Sequence, residues 1–331
     1  MSTKKATATK VPAEGKDGLK EQAKQFYTTM YRIRRFEEEV FEFYKRGLMP
    51  GLAHLYLGEE AVATGAIACM RDDDYVGSTH RGHGHMVARG ADLNRMMAEI
   101  LGKKTGYSKG KGGSMHIMDM SKGFLGANGI VGGGIAIATG AAYSAKLRGT
   151  DQVALSFFGD SAANEGTFHE SLNMAAAWDL PCVYVIENNL YGISVDIRRV
   201  TREHDLYKRA AAYGMPGVAV DGNDVFAVRD VVQKAVDDAR AGKGPTLVEC
   251  KTYRWQGHHV GDPAVYRDPE ELAEWKAREP LVVLEQKKLL TAKEIAEIKA
   301  SVDAEIAAAC KFAEESEYPD AAEAYADVFV D

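Results

Sequence analysis

The stretch QVALSFFGDSAANEG, residues 152–166, decides the fold, because an apolar run ends abruptly in an acid and gives way to a helical pattern. Two further apolar runs follow, PCVYVI at 181–186 and PTLVECKTY at 245–253. Helical patterns separate them, NEGTFHESLNMAAAWD at 164–179 and DVFAVRDVVQKAVDDARAG at 224–242. Alternation of apolar strands with helices is typical of a mostly parallel sheet covered by helices on both faces. The sequence therefore predicts an α/β fold.

The chain outside this alternating region shows no internal repeat and no linker after residue 20. We predict a flexible N-terminal tail over 1–20 and a single α/β domain over 21–331. A helical extension, 291–316, closes that domain, because its apolar residues recur at helical spacing. Residues 77–90 and 102–134 are rich in Gly, His and Lys, and they are predicted to be loops.

Composition limits the class of protein. The chain has 331 residues, 46% hydrophobic and 27% charged, which is typical of a globular protein. Its net charge of −7 argues against a broad nucleic-acid-binding surface. No apolar run approaches the roughly 20 residues of a membrane helix, and the first residues lack the apolar core of a secretory signal. The widely spaced cysteines indicate reduced thiols in a cytoplasmic protein; they are Cys69, Cys182, Cys250 and Cys310.

Polar residues stand where two predicted strands end. Asp160 follows the first strand, and Asn188 and Asn189 follow the next. Carboxyl ends of parallel strands share one sheet edge, where ligands bind in such folds. Carboxylate and amide oxygens suit Mg²⁺, and a helix beginning near Asn164 would add an anion site. Asp160 alone also fits a helix cap, and the Asn pair alone fits a turn. Their combination favours a metal site.

The spacing of these residues resembles a known fingerprint. Gly-Asp followed by Asn-Asn, with 29 positions between Asp160 and Asn189, is similar to the thiamine diphosphate motif. The longer wording GDSAANEGTFHESLNMAAAWDLP…ENNLYGIS resembles the α subunit of the E1 component of 2-oxo acid and acetoin dehydrogenase complexes, from about Phe26 onward. The resemblance implies the thiamine-diphosphate-binding fold. It also implies that Asp160 and Asn189 ligate Mg²⁺ through side chains, and Tyr191 through its carbonyl.

The same resemblance places three residues after the first strand against the cofactor: Gly159, Ser161 and Ala162. Glycine is usual in the family where this chain has Ser161. Serine keeps the backbone amide that would lie near the diphosphate, so we expect binding to survive the change.

The segment STHRGHGHMVARG, 78–90, allows two interpretations. His80, His83 and His85 could ligate zinc, although Arg81 within the cluster would repel a cation. Arg is suited to phosphate oxygens, and the segment resembles the family motif YRxHG with His80 in place of Tyr. We therefore expect Arg81, with His80, to bind the diphosphate, and His85 to be a surface residue.

Two Gly-rich segments invite nucleotide interpretations that fail. GANGIVGGGIAIATG, 126–140, has no G-x-G-x-x-G register after a strand. It resembles the family's GNGIVG, which implies backbone contacts from Gly129 and Val131 to the aminopyrimidine. KTGYSKGKGGSMHI, 104–117, lacks the Walker pattern and is similar to the family's GKGGSMH. We expect a mobile active-site or subunit-facing loop there.

Two histidines are candidate catalytic residues. In PGLAHLYLGEEA, 50–61, the resemblance to HLxxGxEA makes His54 a proton donor. In TYRWQGHHVGDPAVYR, 252–267, His258 matches the histidine over the cofactor thiazolium. Histidine moves protons near neutral pH, and we favour His258 over His54.

The resemblance implies an activity and its partners. A cofactor ylide would cleave acetoin to acetaldehyde and a hydroxyethyl adduct, and the acyl group would pass to a lipoyl-bearing E2. The family's β subunit supplies a glutamate, so an α₂β₂ unit is expected and the chain alone should be inactive. GHHVGDPAVYR and YPDAAEAYADVFV look most like acetoin dehydrogenase. Pyruvate ranks second and branched-chain 2-oxo acids third; a zinc-dependent hydrolase is the alternative of another class.

Overall fold

The computed structural model describes residues 16–328. Its α-helices are α1 (Lys16–Lys45), α2 (Glu60–Ile67), α3 (His83–Ala88), α4 (Leu93–Ile100), α5 (Gly133–Arg148), α6 (Gly166–Ala177), α7 (Ile197–Val200), α8 (Val225–Arg240), α9 (Pro269–Ala277), α10 (Pro280–Gln286) and α11 (Ala292–Glu315). Its strands are β1 (Tyr75–Gly77), β2 (Phe124–Gly126), β3 (Ala154–Gly159), β4 (Cys182–Asn188), β5 (Tyr191–Gly192), β6 (Val195–Asp196), β7 (Gly217–Asp221) and β8 (Thr246–Lys251). Short 3₁₀ helices cover Ser114–His116, Met120–Lys122, Ser161–Asn164, Leu206–Tyr213 and Ala321–Tyr325.

Six strands form one parallel sheet in the order β2-β1-β3-β4-β8-β7. The three predicted strands are β3, β4 and β8, and they are neighbours. In the β3–β4 register, Gly159 pairs with Glu187, so both strands end at the same edge. Strands β5 and β6 form a small antiparallel hairpin just beyond that edge.

Helices cover both faces of the sheet, as predicted. On β3, Leu155 and Phe157 belong to the hydrophobic cluster that α1, α2, α4, α8 and α11 build on one face. Ala154 and Phe158 belong to the cluster that α5 and α6 build on the other. Because side chains alternate along a strand, a strand covered on both faces becomes apolar throughout. The α/β fold class is confirmed.

The predicted loops at 77–90 and 102–134 are in part wrong. They contain the end of β1, all of α3 and β2, and the first two residues of α5. Helix α3 is the clearest error, because His83 and His85 are both fully buried. Each imidazole has buried polar partners from distant parts of the chain, so these polar residues belong to the interior. The expectation that His85 is a surface residue was wrong.

The two ends of the predicted domain differ from expectation in detail. Helix α1 begins at Lys16, so residues 16–20 of the predicted tail are helical; residues 1–15 lie outside the described range. Leu19 packs on an apolar cluster that includes Leu281 and Leu284, which explains the early start. Helix α11 buries Val302 and Ile306 in the main core.

Two further expectations concern cysteines and membranes. All four cysteines lie in the described range and are free thiols, three of them buried and Cys310 half-buried. Between residues 16 and 328, no helix is both long enough and apolar enough to cross a bilayer.

Candidate active site at the carboxyl ends of the central strands

A cavity of about 300 Å³ opens at the carboxyl ends of β3 and β4. Ten of the predicted site residues line it: His80, Arg81, Val131, Gly159, Asp160, Ser161, Ala162, Asn189, Tyr191 and His258. Gly129 is not among the lining residues, although its neighbours Asn128 and Ile130 are. His54 is also outside the lining, but its ring meets those of His80 and His258 edge to face, with centroids 4.6 and 4.7 Å away.

Asp160 presents a buried carboxylate to this cavity. It precedes the 3₁₀ helix Ser161–Asn164, but within the described chain its side chain caps no amide of that helix. The side chain is almost fully buried and accepts a hydrogen bond from Ser161 Oγ at 3.3 Å. Burial raises the pKa of Asp160 to about 6, against the opposing effect of hydrogen bonds from backbone amides, including that of Asn189. The capping interpretation therefore fails.

The two asparagines have different surroundings. Asn188 donates to Glu249 Oε1 at 2.7 Å and accepts from the amide of Leu190 at 3.3 Å, so its side chain is satisfied. Asn189 donates through Nδ2 to both carboxylate oxygens of Glu59, each at 3.2 Å. Its Oδ1 is buried and, among residues 16–328, has no hydrogen-bond partner. Burying a polar atom without a partner is unfavourable, and a bound cation would supply one.

The donor set fits a small divalent cation. It offers the Asp160 carboxylate, the unpartnered Oδ1 of Asn189 and the carbonyl of Tyr191, all of them hard oxygens. The Tyr191 carbonyl also receives Arg254 Nη1 at 3.4 Å. A carbonyl oxygen has two lone pairs, so this contact leaves room for a second partner.

The chain after Asn189 follows a strained path past the cavity. Leu190 and Ile193 have φ of 73° and 52°, values that side-chain-bearing residues rarely adopt. Such strain is found preferentially at functional sites, where the surrounding structure holds it in place. Here it brings Tyr191, Gly192 and Ile193 to the cavity wall.

Ser161 is accommodated by Gly192, which has no side chain. A Cβ atom added to Gly192 would overlap Ser161 Oγ and lie 2.9 Å from Ser161 Cβ. We expect Gly192→Ala to lower the free energy of unfolding by about 1–3 kcal/mol, as overpacking does. Adding Ser161→Gly should recover most of this loss. Thermal unfolding of the wild type, both single variants and the double variant measures the coupling. Strictly additive effects would contradict this steric pairing.

Three histidines and Arg81 meet on one side of the cavity. The carbonyl of His258 accepts from His54 Nδ1 at 2.7 Å and from Arg81 Nη2 at 2.8 Å. Burial, with Arg81 nearby, lowers the pKa of His54 to about 4, of His258 to about 3 and of His80 to about 2. All three imidazoles are therefore neutral at pH 7.

The zinc set predicted from sequence does not converge. His83 binds Glu37 at 3.0 Å and Ser114 at 2.9 Å, and His85 binds Ser78 and Glu187. The histidines that do meet are His54, His80 and His258, with ligand atoms within 4.8 Å of one another. Arg81 Nη2 lies 3.3 Å from His258 Nδ1, and this cation disfavours a second one beside it. The zinc interpretation loses its basis.

Arg254 is a site residue that the sequence analysis missed. It is almost fully buried, lines the cavity and donates to the carbonyl of Ile193 at 2.9 Å. With Arg81 it places two buried guanidinium groups around one cavity, an arrangement suited to an anion with several oxygens. The sequence could have indicated Arg254, because it lies four positions before His258 in the segment 252–267 that the sequence analysis discusses.

Two buried acids were also missed. Glu187, near the end of β4, accepts from Tyr56 Oη and binds His85 Nε2 at 2.9 Å. Glu59 contacts Asn189, and burial together with Glu187 raises the pKa of Glu59 to about 8. Nothing in the local pattern distinguishes these acids, because their partners lie far away in sequence.

The Gly- and Lys-rich loop wraps around a buried acid. The carboxylate of Glu99 accepts backbone amides of Ser108, Gly110, Gly112 and Gly113 at 2.8–2.9 Å. Lysines on its outer side form ion pairs with acids near the C-terminus: Lys104 with Glu317, and Lys109 and Lys111 with Asp327. A subunit-facing role for this loop stays a prediction.

Comparison with known proteins agrees with the geometry. The family model described as dehydrogenase E1 component matches residues 28–322. The α subunit of acetoin:2,6-dichlorophenolindophenol oxidoreductase from Bacillus subtilis (strain 168) is 48% identical over 320 residues, covering 96% of each chain. The protein of the same name from Cupriavidus necator is 49% identical over 258 residues, 78% of each chain. The pyruvate dehydrogenase E1 component α subunit of Rhizobium meliloti (strain 1021) is 40% identical over 316 residues, 94% of this chain and 91% of that one. This chain therefore belongs to the dehydrogenase E1 component family, whose members are thiamine-diphosphate-dependent oxidoreductases.

Proposed function

We propose that this chain is the α subunit of an E1 enzyme that uses thiamine diphosphate and Mg²⁺ to cleave acetoin and passes the acyl group to a lipoyl-bearing E2. The observation that carries the cofactor assignment is the unpartnered Oδ1 of Asn189 beside the buried carboxylate of Asp160. A cation would give Asn189 Oδ1 the partner that it lacks, and the Asp160 carboxylate would supply the negative charge beside it.

Several residues in and beside the cavity have proposed roles toward the cofactor. Asp160, Asn189 and the carbonyl of Tyr191 would hold Mg²⁺, and Arg81 and Arg254 would neutralise the diphosphate. Lesser contacts to the cofactor are proposed for His80, Gly129, Val131, Gly159, Ser161 and Ala162. Once bound, thiamine diphosphate supplies the electron sink for cleavage of the bond beside a carbonyl.

The histidines would handle protons around this site. His258 and His54 are neutral at pH 7 because burial and Arg81 lower the pKa of each. A neutral imidazole accepts a proton from a reacting hydroxyl and can return it. Phe157, Phe158 and Ile135 add apolar surface to the wall of the same cavity.

The cavity has features of a shared site. Three large apolar residues line it and are exposed: Ile130 by 74%, Val131 by 48% and Ile193 by 61%. Large exposed apolar residues beside a cavity are typical of a surface that another subunit covers. They support a β subunit over the cavity in an α₂β₂ unit, as the word subunit in the relatives' names also suggests. We keep a cytoplasmic location as part of the proposal.

The choice of substrate has support from the relatives. The two acetoin-named proteins are 48% and 49% identical to this chain, against 40% for the pyruvate-named protein from Rhizobium meliloti. Pyruvate is therefore the second candidate, and branched-chain 2-oxo acids are third.

The substrate is tested by co-expressing the chain with its cognate β subunit and measuring 2,6-dichlorophenolindophenol reduction. Acetoin, pyruvate and branched-chain 2-oxo acids are compared in parallel, with and without thiamine diphosphate. We expect kcat/KM for acetoin to exceed that for pyruvate at least about tenfold, equivalent to about 1.4 kcal/mol of transition-state discrimination. The chain alone should show no turnover. A preference for pyruvate would make pyruvate the proposed substrate in place of acetoin. Turnover without the cofactor would refute the proposal.

A further inference from the structure

Glu59 is a buried acid that neither the fold nor the proposed chemistry yet explains. It stands at the N-cap position of α2, but in the described chain its side chain makes no capping hydrogen bond. It is fully buried. Its carboxylate instead accepts both of its hydrogen bonds from Nδ2 of Asn189, across 130 positions of sequence, at 3.2 Å each.

This contact determines which way the Asn189 amide faces. The oxygen and nitrogen of an asparagine amide are nearly the same size, so packing alone does not distinguish two orientations related by a half-turn. The half-turn would place Oδ1 against the two oxygens of Glu59, of which at least one carries no proton and would repel it. With Nδ2 bound to Glu59, Oδ1 must face the other way, where it is buried and unpartnered.

We propose that Glu59 is a positioning residue that holds the Asn189 amide so that its oxygen, and not its nitrogen, faces the divalent cation. The inference rests on the proposed function, since it assigns a role toward that cation. Outer contacts of this kind orient metal ligands and typically change metal affinity by about 10- to 100-fold when they are removed. Glu59 offers Nδ2 an acceptor oxygen in either protonation state, so the contact with Asn189 survives protonation.

A purely structural role predicts a different result. Burying an acid beside Glu187 is unfavourable, so removing Glu59 should not weaken the protein when no ligand is bound. If Glu59 served only the fold, its removal would lower the unfolding temperature and leave cation affinity unchanged.

The neighbouring pair Asn188–Glu249 offers a matched control. Glu249 is also fully buried and accepts from Asn188 Nδ2 at 2.7 Å. The Oδ1 of Asn188, however, accepts the amide of Leu190 and has no need of a cation. In both pairs a buried carboxylate holds an asparagine amide, and the amide oxygen is available only in Asn189. Glu249 also accepts the backbone amide of Tyr207 at 3.0 Å.

The test uses the assembly of this chain with its β subunit and measures binding. The Mg²⁺ concentration at half-saturation is determined by calorimetry at saturating thiamine diphosphate, for Glu59→Met, Glu59→Gln, Glu249→Met and Asp160→Ala. We expect Glu59→Met to raise this concentration by about 10- to 100-fold, and Glu59→Gln, which keeps an acceptor oxygen, to stay within about threefold. Glu249→Met should also stay within about threefold of the wild type. Without ligands, Glu59→Met should unfold at or above the wild-type temperature.

Each outcome has a distinct meaning. An unchanged half-saturation in Glu59→Met, while Asp160→Ala loses binding, would overturn the positioning role and leave the proposed function intact. An equal rise in Glu249→Met would also overturn it, because that change leaves the contact between Glu59 and Asn189 in place. Unchanged binding in Asp160→Ala would refute the metal site itself, whatever the Glu59 variants do.

Discussion

Replacing Asp160 with alanine is expected to abolish Mg²⁺-dependent binding of thiamine diphosphate and to leave the fold intact. The substitution removes the only carboxylate of the proposed ligand set. Even changes outside a metal's direct ligands cost about 10- to 100-fold in affinity, so the loss here should exceed about a hundredfold. The fold should survive, because the Asp160 side chain caps no helix amide within the described residues. Burial raises the pKa of Asp160 to about 6, which means that the buried carboxylate does not stabilise the fold.

Binding is measured by calorimetry with Mg²⁺ present, and the fold by circular dichroism and thermal unfolding without ligands. Asn188→Ala and Asn189→Ala form a matched pair of controls. Asn189→Ala should lose binding as Asp160→Ala does, because it removes the unpartnered oxygen. Asn188→Ala should lower the stability of the fold and leave binding unchanged, because the Asn188 side chain forms hydrogen bonds with Glu249 and Leu190. Retained thiamine diphosphate affinity in Asp160→Ala would refute the metal assignment.

Replacing His258 with glutamine is expected to reduce kcat by about 10²- to 10⁴-fold, the usual contribution of a general acid or base. Glutamine keeps much of the side-chain volume and loses the titratable nitrogen. The backbone carbonyl of His258, which binds His54 and Arg81, is unaffected by the change. Cofactor affinity should therefore remain close to that of the wild type.

The expected ranking of histidines provides the control. His54→Gln should reduce kcat less than His258→Gln, because His54 lies behind the residues that line the cavity. His169→Gln, an exposed histidine on α6, should leave kcat unchanged. The three variants are compared in the α/β assembly at saturating cofactor. Wild-type turnover in His258→Gln would exclude it as a proton-transfer group.

The sequence analysis succeeded where local patterns determine the structure and failed where contacts between distant segments determine it. The apolar runs behind β3, β4 and β8 are long, and hydrophobic patterning identifies such strands. Strands β1 and β2 have three residues each and were missed, because a pattern that short has no detectable period. Helix α3 was taken for a loop because its histidines are polar, whereas Glu37 and Glu187, far away in sequence, satisfy them in the interior.

By itself, the sequence determined the parallel sheet, because helices alternate with apolar strands along the chain. It also determined that Asp160 and the asparagine pair lie at one edge of the sheet, because each of them follows the end of a strand. Only the tertiary structure decided which asparagine has a free oxygen. It also showed that Arg254 joins Arg81 and that Glu59 faces Asn189. Burial beside Arg81 lowers the pKa of His54, His80 and His258. These outcomes depend on burial and on contacts between distant segments, such as the 130 positions that separate Glu59 from Asn189, and no local pattern encodes them.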